Sequence, residues 1–236
     1  MALNFPFYYH IIDNFLDIET ARKIEKEFPD YHSNIWYEYN NPLEIKRTCN
    51  HWYCFGQETY ILLSFLNSPE FIERLKKITG IQTLYPDIGL HGGGMHMTGK
   101  GGKLNVHLDY SIHPKLKLQR KLNLILYLTE NWEYDWGGNL ELWSHNELTK
   151  KPKDRIVTVN NIFNRAILFD TTQNSWHGFP EYLTCPEGIY RKSLAVYYLT
   201  DPPEGTDPRP RALYAPSKEQ ETNPEILNLI ENRSKL

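Results

Sequence analysis

Hydrophobic positions fall into two textures along this chain, and the change comes near Tyr85. Before it, apolar residues recur at helical spacing. Ile18, Ala21, Ile24 and Phe28 form one such face, with Asp17 placed to cap the start, Glu19 in the first turn and Pro29 just beyond the end. Residues 58–66 predict a second helix. The third is the clearest: Ser68 as N-cap, Pro69 at the first helical position, then Glu70, an apolar face of Phe71, Ile72, Leu75 and Ile78, and Gly80 as a stop. A strand is expected over Phe7–Phe15, ending at Asp13-Asn14, and the aromatic stretch through Trp36, Tyr39 and Trp52 reads as irregular. Residues 1–84 are therefore expected to form a helical layer over one face of a sheet.

After Tyr85 the chain breaks into short apolar runs separated by Gly, Asn and Pro, the pattern of many short strands in a sandwich or barrel. Leu122–Leu128, Arg165–Phe169 and Ser193–Leu199 read as central strands. Trp132–Gly138 predicts a turn ending in Gly-Gly, followed by a strand over Asn139–Trp143. The tail changes again: Pro202, Pro203, Pro208, Pro210 and Pro216 imply an extended segment, and Asn223 caps a short helix over Pro224–Asn232. The expected architecture is mainly β with flanking helices, one domain divided into helical support (1–84), a core (85–200) and a C-terminal extension (201–236).

Composition narrows the function classes. The net charge of −3 and the lack of a long Lys/Arg block argue against nucleic-acid binding; the locally basic run Lys115–Lys121 reads as a solvated strand edge or loop. Three cysteines, Cys49, Cys54 and Cys185, are odd in number and form no C-x-x-C, so a reducing cytoplasm is expected. The opening residues Met1–Pro6 lack a basic leader, and no run approaches the ~18 apolar residues of a membrane span. Aromatic residues make up 14% of the chain, which favours a sheet-rich core.

Chemistry enters at Asn105-Val106-His107-Leu108-Asp109-Tyr110. In a strand, His107 and Asp109 project from the same face. His177, after the buried-looking run Ala166–Asp170, offers a second imidazole. Two imidazoles and one carboxylate on one face of an octahedral ion leave three positions open, which suits non-haem Fe(II) better than tetrahedral zinc. Gly94-x-x-x-x-Gly99-Lys100 imitates a phosphate-binding loop, but Gly101 stands where Ser or Thr is needed, so it reads as a glycine-rich hairpin connection. His91, His96, His113 and His145 lack partners at comparable spacing and read as ordinary residues, His113 alone lying close enough to face a substrate. Arg191 opens the last central strand. It can present a fork to a carboxylate inside a barrel or form a surface ion pair; Lys192 alternates to the other face, and the apolar phase leaves open which of the two points inward.

The ordered set His107-Leu-Asp109, Tyr127–Trp132, Gly137-Gly138-Asn139-Leu140, His177 and Arg191-Lys192-Ser193-Leu194 resembles the 2-oxoglutarate and Fe(II)-dependent dioxygenases, in their prolyl 4-hydroxylase-like branch, over roughly Tyr85–Leu199. The resemblance implies a double-stranded β-helix, or jelly-roll, with iron on His107, Asp109 and His177. It further implies Arg191 on the far carboxylate of 2-oxoglutarate, Tyr127 as a hydroxyl partner, Leu140 lining the cosubstrate pocket, and ascorbate as an accessory reductant. Ten residues before the first ligand, where relatives often carry a tyrosine, stands Met97. An intact Asp109 favours hydroxylation, since related halogenases replace the carboxylate. The rival functions are a cupin-like isomerase or epimerase and a catalytically silent binding module. For the substrate, the resemblance implies peptidyl proline, packed by Tyr110, Trp132, Tyr134, Trp136 and Trp176; the basic run 115–121 would instead select an acidic small molecule or anionic sugar.

Overall fold

The computed structural model describes residues 5–172 and 174–235; Met1–Asn4, read above for a leader, lie outside them. The helices follow the sequence pattern closely. In α1 (Ile18–Lys26) the Asp17 carboxylate accepts the Thr20 N–H at 3.0 Å, and in α3 (Pro69–Thr79) the Ser68 hydroxyl accepts from Phe71 at 3.2 Å. α2 covers Gln57–Leu66. Gly80 stops α3 with φ +73, a conformation that side chains resist. Ile18 and Ile78 stay in solvent, so each apolar face is one turn shorter than its periodicity.

The strands are β1 (Tyr9–Ile12), β2 (Tyr37–Asn41), β3 (Glu44–Cys49), β4 (Tyr85–Pro86), β5 (Gly94–Thr98), β6 (Lys103–Leu108), β7 (Gln119–Tyr127), β8 (Leu140–Asn146), β9 (Lys151–Val159), β10 (Ala166–Asp170), β11 (His177–Phe179), β12 (Arg191–Thr200) and β13 (Leu213–Tyr214). The order β1-β10-β7-β12-β5-β3 gives one antiparallel wall and β6-β11-β8-β9 the other, joined where β3 pairs with both β5 and β6. This is the jelly-roll. Strand alternation divides the first wall between two cores. Leu122, Leu124, Leu126, Leu194 and Val196 pack outward against Ala21, Ile24, Leu63 and Leu75 of the helices. Tyr127, Ile167 and Phe169 turn inward to meet Leu140, Leu142 and Val159 of the opposite wall.

Several elements differ from expectation. The aromatic stretch called irregular contains the β2–β3 hairpin that joins the walls, and β9 arises in the polar run KPKDRIVTV. The Gly-rich connection is itself strand from Gly94. There a Cβ would sit 2.3 Å from the Cys49 carbonyl, so glycine is what lets β5 approach. The first strand is only Tyr9–Ile12. Among the described residues no helix is long and apolar enough to cross a membrane. The tail forms α4 (Pro224–Lys235), with Asn223 accepting from Glu225 at 3.0 Å.

Candidate metal centre and its second pocket

Antiparallel pairing of β6 with β11 sets His107 directly opposite His177, ring centroids 4.4 Å apart, and Asp109 follows just past the end of β6. Each imidazole gives its Nδ1 proton to a carbonyl two residues upstream: His107 to Asn105 O at 2.9 Å, His177 to Ser175 O at 2.8 Å. A carbonyl can only accept, so both Nε2 atoms keep their lone pairs for the interior. His107 Nε2 lies 3.7 Å from Asp109 Oδ1, and His177 Nε2 lies 3.8 Å from Oδ2. All three residues are buried, and their ligand atoms fall within 4.8 Å of one another. Burial, with the His107 ring beside it, pushes His177 down to about 4 and keeps it neutral. Burial works to raise Asp109, but the Arg120 guanidinium and the two imidazoles outweigh it and hold the carboxyl well below the usual range. Asp109 Oδ2 has no hydrogen-bond partner. An N₂O donor set with an orphaned buried carboxylate oxygen fits a divalent ion such as iron.

The brace around this centre includes residues that sequence reasoning missed. Arg120 belongs to the run read as a solvated edge, yet it is buried. The β7–β12 register passes from Leu122↔Tyr198 to Arg120↔Leu199, so Lys121 is an extra residue. Alternation from Leu122 would send Arg120 toward the helices; the bulge turns it inward. There Arg120 Nη1 lies 3.2 Å from Asp109 Oδ1, its Nη2 donates to His91 O at 2.7 Å, and the rings of Tyr110 and Tyr197 flank it at 3.3 Å. Arg209 donates to the Asp109 carbonyl at 2.8 Å. Tyr214 of β13 stacks on His107 at 5.2 Å, and Asn105 anchors the same tail through Gln220 at 2.6 Å.

Elsewhere in the barrel Arg191 points inward and Lys192 outward, where its Nζ lies 3.5 Å from Glu25. The phase the sequence left open is thereby settled. Arg191 Nε donates to Gly138 O at 2.8 Å, and the guanidinium faces the rings of Phe179 and Tyr127 at 4.6 and 5.1 Å. The Gly-Gly turn is required here: at Gly138, with φ +73, a Cβ would come within 2.8 Å of Arg191 Cδ. Burial lowers the Arg191 pKa, and no carboxylate offsets it among the described residues. The Tyr127 hydroxyl beside it is buried without a hydrogen-bond partner, and Leu140 packs in the same cluster. Met97 packs on the helix side, so the residue β5 turns into the barrel is His96. Its Nε2 has no partner, and burial with Lys46 and Arg191 nearby pushes it down to about 3.

The aromatic residues expected to pack a pyrrolidine ring are engaged elsewhere. Tyr110 flanks Arg120, and the buried Trp176 donates to His145 at 3.0 Å. Trp132 and Trp136 meet edge to face at 5.4 Å over Leu183, while Tyr134 lies in solvent. His113 accepts the Leu116 N–H at 3.0 Å and so organises its own turn, with Nε2 3.6 Å from Asp87.

Residues 93–199 match the family model of the 2OG-Fe(II) oxygenase superfamily. The chain is 30% identical over 93 residues to the mouse (Mus musculus) prolyl 3-hydroxylase OGFOD1; the match covers 38% of this chain and only 16% of that protein's length. The fold is similar to a Trichoplax adhaerens prolyl hydroxylase solved with a hypoxia-inducible-factor peptide fragment, with TM-score 0.59, 19% identity and coverage of 81% and 83% of the two chains. It is also similar to Streptomyces hygroscopicus HygX solved with nickel, 2-oxoglutarate and hygromycin B, with TM-score 0.51, 13% identity and coverage of 81% and 82%.

Proposed function

We propose that the chain, whose residues 93–199 match the family model of the 2OG-Fe(II) oxygenase superfamily, is a member of that family and that its barrel hydroxylates an unactivated C–H bond at the expense of 2-oxoglutarate. In the balanced reaction substrate C–H, 2-oxoglutarate and O₂ give the alcohol, succinate and CO₂. One oxygen atom enters the C–H bond and the other the new carboxylate of succinate; C–H and 2-oxoglutarate each supply two of the four electrons that O₂ accepts. Iron, when bound, supplies the oxygen activation. His107, Asp109 and His177 would hold it, their Nδ1 contacts fixing the two rings. Arg191 and the Tyr127 hydroxyl would receive the far carboxylate of 2-oxoglutarate, with His96 beside them in the place expected for Met97.

The observation that carries this reading is a buried guanidinium with no carboxylate partner among the described residues, in the same barrel as a His/Asp/His face. A cupin-like isomerase has no use for Arg191, and turnover separates an enzyme from a silent fold. The reading extends to the reducing cytoplasm, supported by three free thiols at Cys49, Cys54 and Cys185, and to ascorbate as an accessory reductant.

The test is oxygen uptake with added Fe(II) and 2-oxoglutarate, read with succinate. We expect succinate that depends on both additions and disappears in Asp109→Ala together with iron retention; succinate unchanged in that variant would remove the assignment. Two of the similar proteins are named for prolyl hydroxylation, and one added oxygen on proline-containing peptides, read by mass spectrometry, tests whether that substrate carries over to this chain.

A further inference from the structure

A cleft of about 510 Å³ opens beside the metal centre, under the segment 201–209 that crosses from the end of β12 back to β6. That size lies within the roughly 300–1,000 Å³ usual for small-molecule sites. Its walls are one residue or one contact from the proposed ligands. Leu108 adjoins Asp109, Lys121 adjoins Arg120, and Arg209 reaches the Asp109 carbonyl at 2.8 Å while its own carbonyl accepts the Ser111 N–H at 2.9 Å.

The lining mixes polar and apolar surface in nearly equal parts and, among the described residues, holds no aromatic side chain. Hydroxyl and amide groups come from Ser111, Gln119, Thr171, Asn174, Thr200 and Thr206, of which Thr200 and Thr206 already donate to the Thr83 and Pro203 carbonyls at 2.8 and 2.6 Å and keep only lone pairs for a ligand. Thr171 is the telling one: it is 7% exposed, and its hydroxyl has no partner. A buried hydroxyl left unpaired is destabilising, and a ligand hydroxyl would satisfy it. The cations of the cleft are already matched. Lys121 pairs with Asp170 at 2.6 Å, and Arg209 with Asp207 at 3.1 Å. Of the carboxylates, Asp201 meets only the Tyr85 hydroxyl, at 3.2 Å, and Glu204 is exposed. The basic run does not alter this balance: Lys115 and Lys117 lie on an outer turn and Arg120 is taken by Asp109.

We infer that this cleft is the substrate site and that it takes a polyhydroxylated small molecule of the sugar or cyclitol kind, neutral or amine-bearing. The inference rests on the dioxygenase reading and names its substrate class. The Thr171 hydroxyl and the amide groups of Gln119 and Asn174 can pair with a ring bearing hydroxyls, whereas a pyrrolidine ring would leave the Thr171 hydroxyl unpaired. Excess carboxylate disfavours an anionic sugar and suits an amine.

The test uses the iron-loaded enzyme with 2-oxoglutarate and compares myo-inositol, glucose, galactose, glucosamine, glucuronate and a proline-containing peptide at equal concentration, reading succinate and product mass. We expect a neutral or amino polyol to raise succinate formation at least tenfold and to gain one oxygen, and Thr171→Val to raise its KM several-fold. Succinate that no such polyol accelerates, faster turnover with glucuronate or the peptide, or a polyol KM unmoved in both Thr171→Val and Thr206→Val would overturn the inference. Absence of succinate under every condition would instead strike the dioxygenase reading beneath it.

Discussion

Two arginines are buried in the same barrel and end in opposite conditions. Arg120 is saturated by protein: a carboxylate oxygen at 3.2 Å, a carbonyl at 2.7 Å and a tyrosine ring on each side. Arg191 meets one carbonyl and two ring faces, beside a tyrosine hydroxyl with nothing to bind. Burying a guanidinium is costly, and a protein either compensates it internally or keeps it for a ligand that will. The first arginine belongs to the scaffold of the candidate metal centre, and the second stands ready for the proposed cosubstrate.

Substitution separates the two roles. Arg191→Ala should raise the 2-oxoglutarate requirement by tens- to thousands-fold, from about 2–5 kcal/mol lost with a desolvated charge pair, and leave iron retention intact. Steady-state titration with parallel metal analysis checks this, and an unmoved requirement would merge the two arginines into one structural class. Arg120→Met should do the reverse. It keeps a flexible side chain between the tyrosines but removes the charge beside Asp109, so iron affinity should fall by about 10–100-fold with the 2-oxoglutarate requirement little changed. Because bound metal stabilises the fold in proportion to its affinity, the gap in Tm between metal-loaded and metal-free protein should narrow in this variant, measurable by calorimetry.

The smallest effect sharpens the Arg191 side. Burial, with Lys46 and Arg191 nearby, pushes His96 from its ordinary 6.5 down to about 3. Between those values the unfolded chain binds the extra proton. Stability from this residue is therefore complete above pH ~6.5 and declines as pH falls toward 3, by at most about 1.4 kcal/mol per pH unit. Denaturant unfolding at a series of pH values should show a shallower decline in His96→Gln than in wild type; equal slopes would mean that His96 is open to water.

The helices were legible because each end carries its own chemistry: Asp17 and Ser68 cap as their positions suggest, and Gly80 stops α3. The cluster of His107, Asp109 and His177 was legible because a two-residue period puts His107 and Asp109 on one face wherever a strand forms. β9 was not, since its exposed residues carry little apolar alternation and it is held by pairing with β8. Arg120 was misread for a different reason. One extra residue reverses the facing of everything beyond it, and the Tyr198/Leu199 register shift that reveals Lys121 lies some eighty residues further along the chain. His96 was hidden likewise, since a strand embedded in glycines gives no signal of which residue turns inward.

The tail that braces the centre has a consequence for how the protein is made. His107, Asp109 and His177 leave the ribosome before Arg209, Tyr214 and Gln220, which hold the Asp109 carbonyl, the His107 ring and the Asn105 side chain. At about 5–20 residues per second the delay is a matter of seconds. During that interval the nascent chain carries all three candidate ligands with their support missing, so firm iron capture waits for the brace from residues 209–220.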